Sequence, residues 1–343
     1  MQNSKSMRAV GYYEYLPITH PDSLLDLEIP VPTPQGHDLL VRIEAIAVNP
    51  ADTVVRQYNP STEGAPYILG WDASGVVVEV GPECTLFKPG DEVYYAGSVI
   101  RPGNNSEFHL VDERIVGKKP KTLDFAEAAS LPLTTLTAWE SLFDRLGIPH
   151  NPEINRNKSI LIIGAAGGVG SIAVQLAKLA GLTVIGTASR PESAAWVKEL
   201  GAEIVINHYE DFLPQLQQHG LDSVDYIFSL NKVDWNRLTQ VIVPQGKICF
   251  IIDNDPPVEL GQFLGKSVTL VWENMFTRST FQTKDIIEQH HLLNQMSQLV
   301  DEGKIRTAVT ERLSPINAAN LKLAHTKMEA RGAIGKIVLE HFN

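Results

Sequence analysis

Between residues 159 and 272, six short apolar runs are separated in most cases by longer segments with helical periodicity. The runs cover 160–163, 182–188, 203–207, 225–230, 247–252 and 267–272. The first of them, with no polar position at all, suits a strand buried on both faces of a parallel sheet. Strand followed by helix, repeated, predicts a doubly wound parallel sheet. Ahead of it the rhythm differs: residues 1 to about 130 hold β-branched runs with Pro and Gly punctuation, including 39–46, 75–80 and 92–95. That pattern predicts an antiparallel, barrel-like domain. Residues 283–302 read as a helix, and 306–343 as a mixed tail ending in the strand-like 336–339, expected to return to the first domain. The expected boundaries are 1–134, 135–275 and 276–343.

The run at 160–163 opens onto Gly164, Ala165, Gly167, Gly168, Val169 and Gly170, and a helix-patterned segment follows. Glycines at this spacing let backbone approach a pyrophosphate, and the helix start offers unpaired N–H groups and the positive end of its dipole. About 20 residues further on, where a ribose-reading acid belongs in an NAD site, no Asp or Glu stands. The sequence offers Thr187, Ala188, Ser189 and Arg190 instead. A hydroxyl and a guanidinium suit a 2′-phosphate, which an acidic side chain would repel, so NADP(H) is favoured over NAD(H). The plainer reading of Arg190 is a solvated residue ahead of the helix that Pro191 opens.

Size and charge narrow the partners. A chain of 343 residues suits about two domains. Its net charge of −11, without a basic cluster, argues against nucleic acid and anionic membranes. The N-terminus lacks the apolar core of a signal peptide, and no apolar run reaches the roughly 18 residues of a membrane span. Two cysteines, Cys84 and Cys249, lie far apart without metal spacing and read as buried thiols of a reducing cytosol, so a cytoplasmic location is expected.

Several local motifs occur together: Val48-Asn49-Pro50-Ala51-Asp52-Thr53, Leu69-Gly70-Trp71-Asp72-Ala73-Ser74-Gly75, Val111-Asp112-Glu113-Arg114, Leu131-Pro132-Leu133-Thr134-Thr135-Leu136-Thr137-Ala138-Trp139, the glycine run, and Met275-Phe276-Thr277-Arg278. With them the whole chain resembles the medium-chain dehydrogenase/reductase superfamily, in its quinone oxidoreductase branch, within the group labelled zinc-type alcohol dehydrogenase-like. The resemblance implies an α/β protein with a GroES-like β-barrel catalytic domain built from both chain ends, a Rossmann domain between them, and a cleft where NADPH meets substrate. Catalytic zinc in the true alcohol dehydrogenases of this superfamily needs Cys, His or acidic donors. The matching positions here are Asn49, Trp71 and Leu133, none a good ligand, and the stretch matching the structural zinc lobe, 96–107, has no cysteine. No zinc is expected at either site.

Without a Lewis acid to stabilise an alkoxide, simple alcohols and aldehydes are poor substrates. Quinones and α,β-unsaturated carbonyls remain feasible, because charge arriving with the hydride delocalises onto a carbonyl oxygen that hydrogen-bond donors can hold. The expected activity is therefore metal-free, NADPH-dependent reduction of a small carbonyl-conjugated substrate. The alternatives are a zinc alcohol dehydrogenase and a non-catalytic NADPH-binding protein. Asn49 is read either as a holder of substrate or nicotinamide ribose, or as the cap of a helix opened by Pro50. Asp52 either orients Asn49 or relays a proton, or makes one structural hydrogen bond. Trp71 and Tyr58 either wall the substrate pocket or fill the core. The resemblance implies that Thr137 lies near the nicotinamide, the alternative being a helix cap, and that Arg331 reaches a cofactor phosphate, the alternative being a solvated arginine. His208 stands where relatives place Tyr after Asn, and protonation there would raise NADPH affinity below roughly pH 6.5. The run 267–272 is expected to be the last strand of the Rossmann sheet and to join two chains into a homodimer through its edge.

Overall fold

A computed structural model of the chain describes residues 5–58, 64–252, 260–330 and 332–342. It divides into two units, Met1–Leu133 with Phe276–Asn343, and Thr134–Met275.

The second unit is built on six parallel strands in the spatial order Ile204–Ile206, Thr183–Thr187, Ser159–Ile163, Val224–Ser229, Ile242–Phe250, Thr269–Trp272. Numbered within the unit this is 3-2-1-4-5-6, the Rossmann order, and its reversal point falls at the first strand, Ser159–Ile163. Every residue of that strand is buried, as an apolar strand covered on both faces must be. The core beneath the sheet joins Leu161, Ile163, Ile185 and Ile227 to Trp235 and Phe250. All six apolar runs become strands, with two adjustments. The fifth begins at Ile242, five residues early, because it contains a bulge at which Gln245 takes a left-handed φ of 62°. The sixth begins at Thr269, because Ser267 is left-handed at φ 52°.

In the first unit, the long strand Asp38–Ala47 pairs antiparallel with Ala73–Val80, with Phe108–Asp112 and with the C-terminal strand Lys336–Glu340. The tail thus returns to the first domain, running antiparallel to a strand some 290 residues earlier. Glu92–Tyr95, Val116–Lys118 and Val309–Leu313 complete a seven-stranded sheet, and Leu25–Pro30, Ser6–Tyr12 and Tyr67–Ile68 form a second, three-stranded one. The helix expected over 283–302 covers Glu288–Asp301, and its His290 turns inward, its Nδ1 2.7 Å from the Val116 carbonyl, rather than facing solvent. Cys249 is buried and Cys84 half-buried, both as free thiols. Among the described residues no helix is long and apolar enough to cross a membrane.

Candidate functional sites

Each unit carries its own constellation. In the second unit, the strand Ser159–Ile163 runs into the helix Gly168–Leu179, whose N-cap is Gly167. A glycine cap has no side chain with which to satisfy the first-turn N–H groups, so the helix presents them uncapped. Gly164 is left-handed, φ 89°, which only glycine adopts freely. A Cβ on Gly170 would lie 2.5 Å from the Gly164 carbonyl oxygen and 2.6 Å from Ala165 Cα, so the helix start packs directly on the turn. Ala165 is fully buried, whereas Gly167, Gly168 and Val169 are partly open at the rim. These features fit a dinucleotide pyrophosphate: backbone donors, no intervening side chain and a positive dipole end.

Two further strand ends meet this turn. The Gly164 N–H donates to Thr187 Oγ1 at 3.0 Å, tying the glycine turn to the end of the neighbouring strand. Ser189 is half-buried and Arg190 exposed, Arg190 being the N-cap of the helix Pro191–Glu199. On the other side, a Cβ at Gly164 would meet the Asn231 amide nitrogen at 2.7 Å. A recess of about 260 Å³ opens there, lined among others by Ile163, His208, Asn231, Lys232 and Arg237.

The Arg237 guanidinium stacks 4.0 Å over the Phe212 ring and donates to the His208 carbonyl at 2.8 Å and to the Glu210 carbonyl. Burial first, and then the Arg237 charge, hold the His208 imidazole below its ordinary pKa. His208 therefore stays neutral to lower pH than an unperturbed histidine. Asn231, Lys232 and Arg237 were not legible as site residues, since they follow the fourth strand with no motif and meet the glycine turn only through sheet order. Thr137 is buried on the helix Pro132–Trp139. Arg331 lies outside the described residues.

In the first unit, Asn49 ends the segment after the strand Asp38–Ala47 and precedes the helix Pro50–Tyr58. Its N–H donates to Asp52 Oδ2 at 2.6 Å, so the helix start is closed by the third helical residue reaching back. The Asn49 side chain points elsewhere. Its Nδ2 donates to Asp72 Oδ2 at 2.8 Å and to the Trp71 carbonyl at 3.3 Å, and its Oδ1 accepts from Lys336 Nζ at 2.5 Å. Asn49 is 1% exposed, so its amide is consumed inside the unit.

Lys336 Nζ also donates to Asp72 Oδ2 at 2.8 Å and to the Val48 carbonyl at 3.1 Å, which uses all three of its protons. Asp72 Oδ1 accepts the Leu133 N–H at 2.7 Å. Burial pushes the Asp72 carboxyl above its usual range, and Lys336 with these hydrogen bonds pulls it back. Asp52 is also buried, which pushes it up to about 7 against the pull of the Asn49 N–H and Lys336. Trp71 is fully buried, with its ring edge-on to Phe276 at 6.2 Å, while Tyr58 is 75% exposed.

The three positions that would bear zinc ligands are thus organised by a carboxylate and an ammonium. Zinc needs thiolate, imidazole or carboxylate donors free to bind it. Here Asp72 already carries the Lys336 ammonium, Asp52 is turned to the Asn49 N–H, and among the described residues no group of three or more His, Cys, Asp or Glu side chains is placed to hold a metal. The donor set does not fit zinc. Lys336 and Asp72 escaped the sequence reading because 264 residues separate them. The available signal was a lysine opening an apolar strand.

The sequence matches the alcohol dehydrogenase GroES-like domain family over residues 35–121 and the zinc-binding dehydrogenase family over 168–288. A zinc-type alcohol dehydrogenase-like protein of Staphylococcus aureus is 41% identical over 97% of this chain and 99% of its own length. Human quinone oxidoreductase is 28% identical, covering 98% of each chain. Among solved structures, a Rhizobium etli protein with a provisional description as a zinc-dependent alcohol dehydrogenase superposes with a TM-score of 0.94 at 53% identity, covering 99% of each chain. Escherichia coli quinone oxidoreductase complexed with NADPH shares the fold, with a TM-score of 0.81 at 24% identity over 97% of this chain and 99% of its own. The chain belongs to the medium-chain dehydrogenase/reductase superfamily of oxidoreductases, alongside the zinc-type alcohol dehydrogenase-like proteins and with quinone oxidoreductases as relatives.

Proposed function

We propose that this oxidoreductase reduces a quinone or α,β-unsaturated carbonyl with NADPH and without a bound metal. The observation that carries the reading is the Lys336 ammonium seated on both Asn49 and Asp72, where a zinc enzyme needs free anionic donors. A substrate whose own conjugation spreads the incoming charge does not require a Lewis acid.

Bound NADPH supplies a hydride equivalent. Gly164, Ala165, Gly167, Gly168, Val169 and Gly170 offer the backbone that would hold its diphosphate, and Arg190 and Ser189 would read its 2′-phosphate. Thr137 and Arg331 are further candidates to contact it, Arg331 on the resemblance alone. Asp52 keeps a proton near neutral pH because burial disfavours its charge. Asn49 and Trp71 are buried and would act from behind the substrate wall rather than as free donors, since the Asn49 amide is fully engaged. The two free thiols suit a reducing cytosol.

The test is a panel of quinones, enones, aldehydes and alcohols assayed with NADPH and NADH side by side on purified protein, with metal content recorded. NADPH oxidation by quinones or enones, with far less than one zinc per chain, is the expected result. Zinc-dependent turnover of simple aldehydes or alcohols would replace this reading with that of an alcohol dehydrogenase. Coenzyme binding with no turnover of any acceptor would make the protein a non-catalytic NADPH binder.

A further inference from the structure

We infer that Lys336 and Asp72 are positioning residues, a built-in cation and its carboxylate that hold the Asn49 amide and lock the segments carrying Asn49, Trp71 and Leu133 into one geometry. The inference rests on the reading above that these segments border the reacting group.

Three observations support it. The first is register: the C-terminal strand pairs Val338 with Ala47 and Leu339 with Ile46, so continuing the antiparallel ladder sets Lys336 level with Asn49. The second is valence. Lys336 spends its three protons on Val48, Asn49 and Asp72, while Asp72 takes Lys336 and Asn49 on one oxygen and the Leu133 N–H on the other. Removing either partner leaves at least one segment without its tether. The third is burial: the side chains of Lys336 and Asp72 are 3% and 0% exposed, so neither donates a proton to a ligand and both act through what they hold.

Burial of an ion pair is poor evidence of a stabilising role, because an apolar pair of similar size is often as stable. A pair retained only for folding and a pair retained for geometry therefore separate in a double variant. Lys336→Met and Asp72→Asn singly should lower the urea midpoint, each leaving a buried group without its partner. Together they should recover most of that midpoint.

If the pair positions the segments, the double variant still exchanges backbone hydrogen about tenfold faster over 47–53 and 131–133 while the strand Ser159–Ile163 keeps its protection. Its kcat for NADPH oxidation also stays about tenfold or more below wild type, with NADPH affinity unchanged. Exchange rates and kcat that return with the urea midpoint would make the pair structural and overturn the inference. Hydrogen exchange needs no substrate, so a wild-type protein that turns over no acceptor removes the proposed function and leaves this inference to be decided by exchange alone.

Discussion

The Gly170 α-carbon sits so close to the Gly164 carbonyl that a methyl group there would lie 2.5 Å from the oxygen, whereas a methyl group at Gly167 would have 3.6 Å. The two glycines therefore serve different ends. Gly170→Ala should lower stability by about 1–3 kcal/mol, as overpacking of a close contact does. Gly167→Ala should fold normally. If Gly167 is kept small for a ligand, its alanine variant loses NADPH affinity without a fall in urea midpoint, and isothermal titration beside unfolding curves distinguishes the two.

Arg190 and His208 make separable predictions about the 2′-phosphate. Arg190→Ala should weaken NADPH binding by roughly ten- to a hundredfold, the worth of a hydrogen bond to a charged group, and leave NADH nearly unchanged. His208 is held below its ordinary pKa by burial and Arg237. A phosphate beside it would favour the protonated ring, so NADPH affinity should rise as pH falls and go on rising below the roughly pH 6.5 of a free imidazole. Equal pH dependence for NADPH and NADH would remove His208 from the phosphate site.

Two buried groups tilt stability in opposite directions with pH. Asp52 is raised from 3.8 to about 7, so the folded state binds a proton that the unfolded state has lost, and its contribution fades as pH rises from about 4 to about 7. His325, buried with neither ring nitrogen hydrogen-bonded, is lowered from 6.5 to about 3 by burial and then by Arg56. There the unfolded state binds the extra proton, and stability is lost as pH falls from about 6.5 towards about 3. Urea midpoints across this range should show a weaker alkaline-side decline in Asp52→Asn and a weaker acid-side decline in His325→Leu. The His325 variant should also gain about 1 kcal/mol at neutral pH by removing unsatisfied polar atoms.

Metal should be dispensable. Dialysis against a chelator is expected to leave NADPH oxidation and the unfolding midpoint unchanged, and added zinc to leave both unmoved. Loss of activity on chelation, restored by one zinc per chain, would contradict the reading of the Lys336 site.

The strand Thr269–Trp272 ends the parallel sheet, pairing with Ile242–Phe250 on one side, and Trp272 is 53% exposed. An open apolar edge favours pairing with a second copy. Light scattering should give the mass of a dimer, and Trp272→Lys should shift it towards the monomer.

Much of this fold was legible because it is locally encoded. A strand that must be buried on both faces is written as an uninterrupted apolar run, and a backbone that must approach a phosphate is written in glycine, so the six-stranded sheet and the turn at Gly164–Gly170 could be read directly. The strand starting at Ile242 was missed in its first half because a bulge places Pro244, Gln245 and Gly246 inside it, residues that ordinarily end a strand.

The first unit divides differently. Sequence alone determined that Asn49, Trp71 and Leu133 bring no thiolate, imidazole or carboxylate to their positions, because side-chain chemistry is a property of the residue and not of its neighbours. Only the tertiary structure decided what holds those positions instead. Lys336 reaches Asn49 through the register of two strands far apart in the chain, and Asp72 is held at their junction by a backbone N–H from Leu133. Such a contact leaves no periodic trace, since neither its partners nor its burial exist until the sheet has closed.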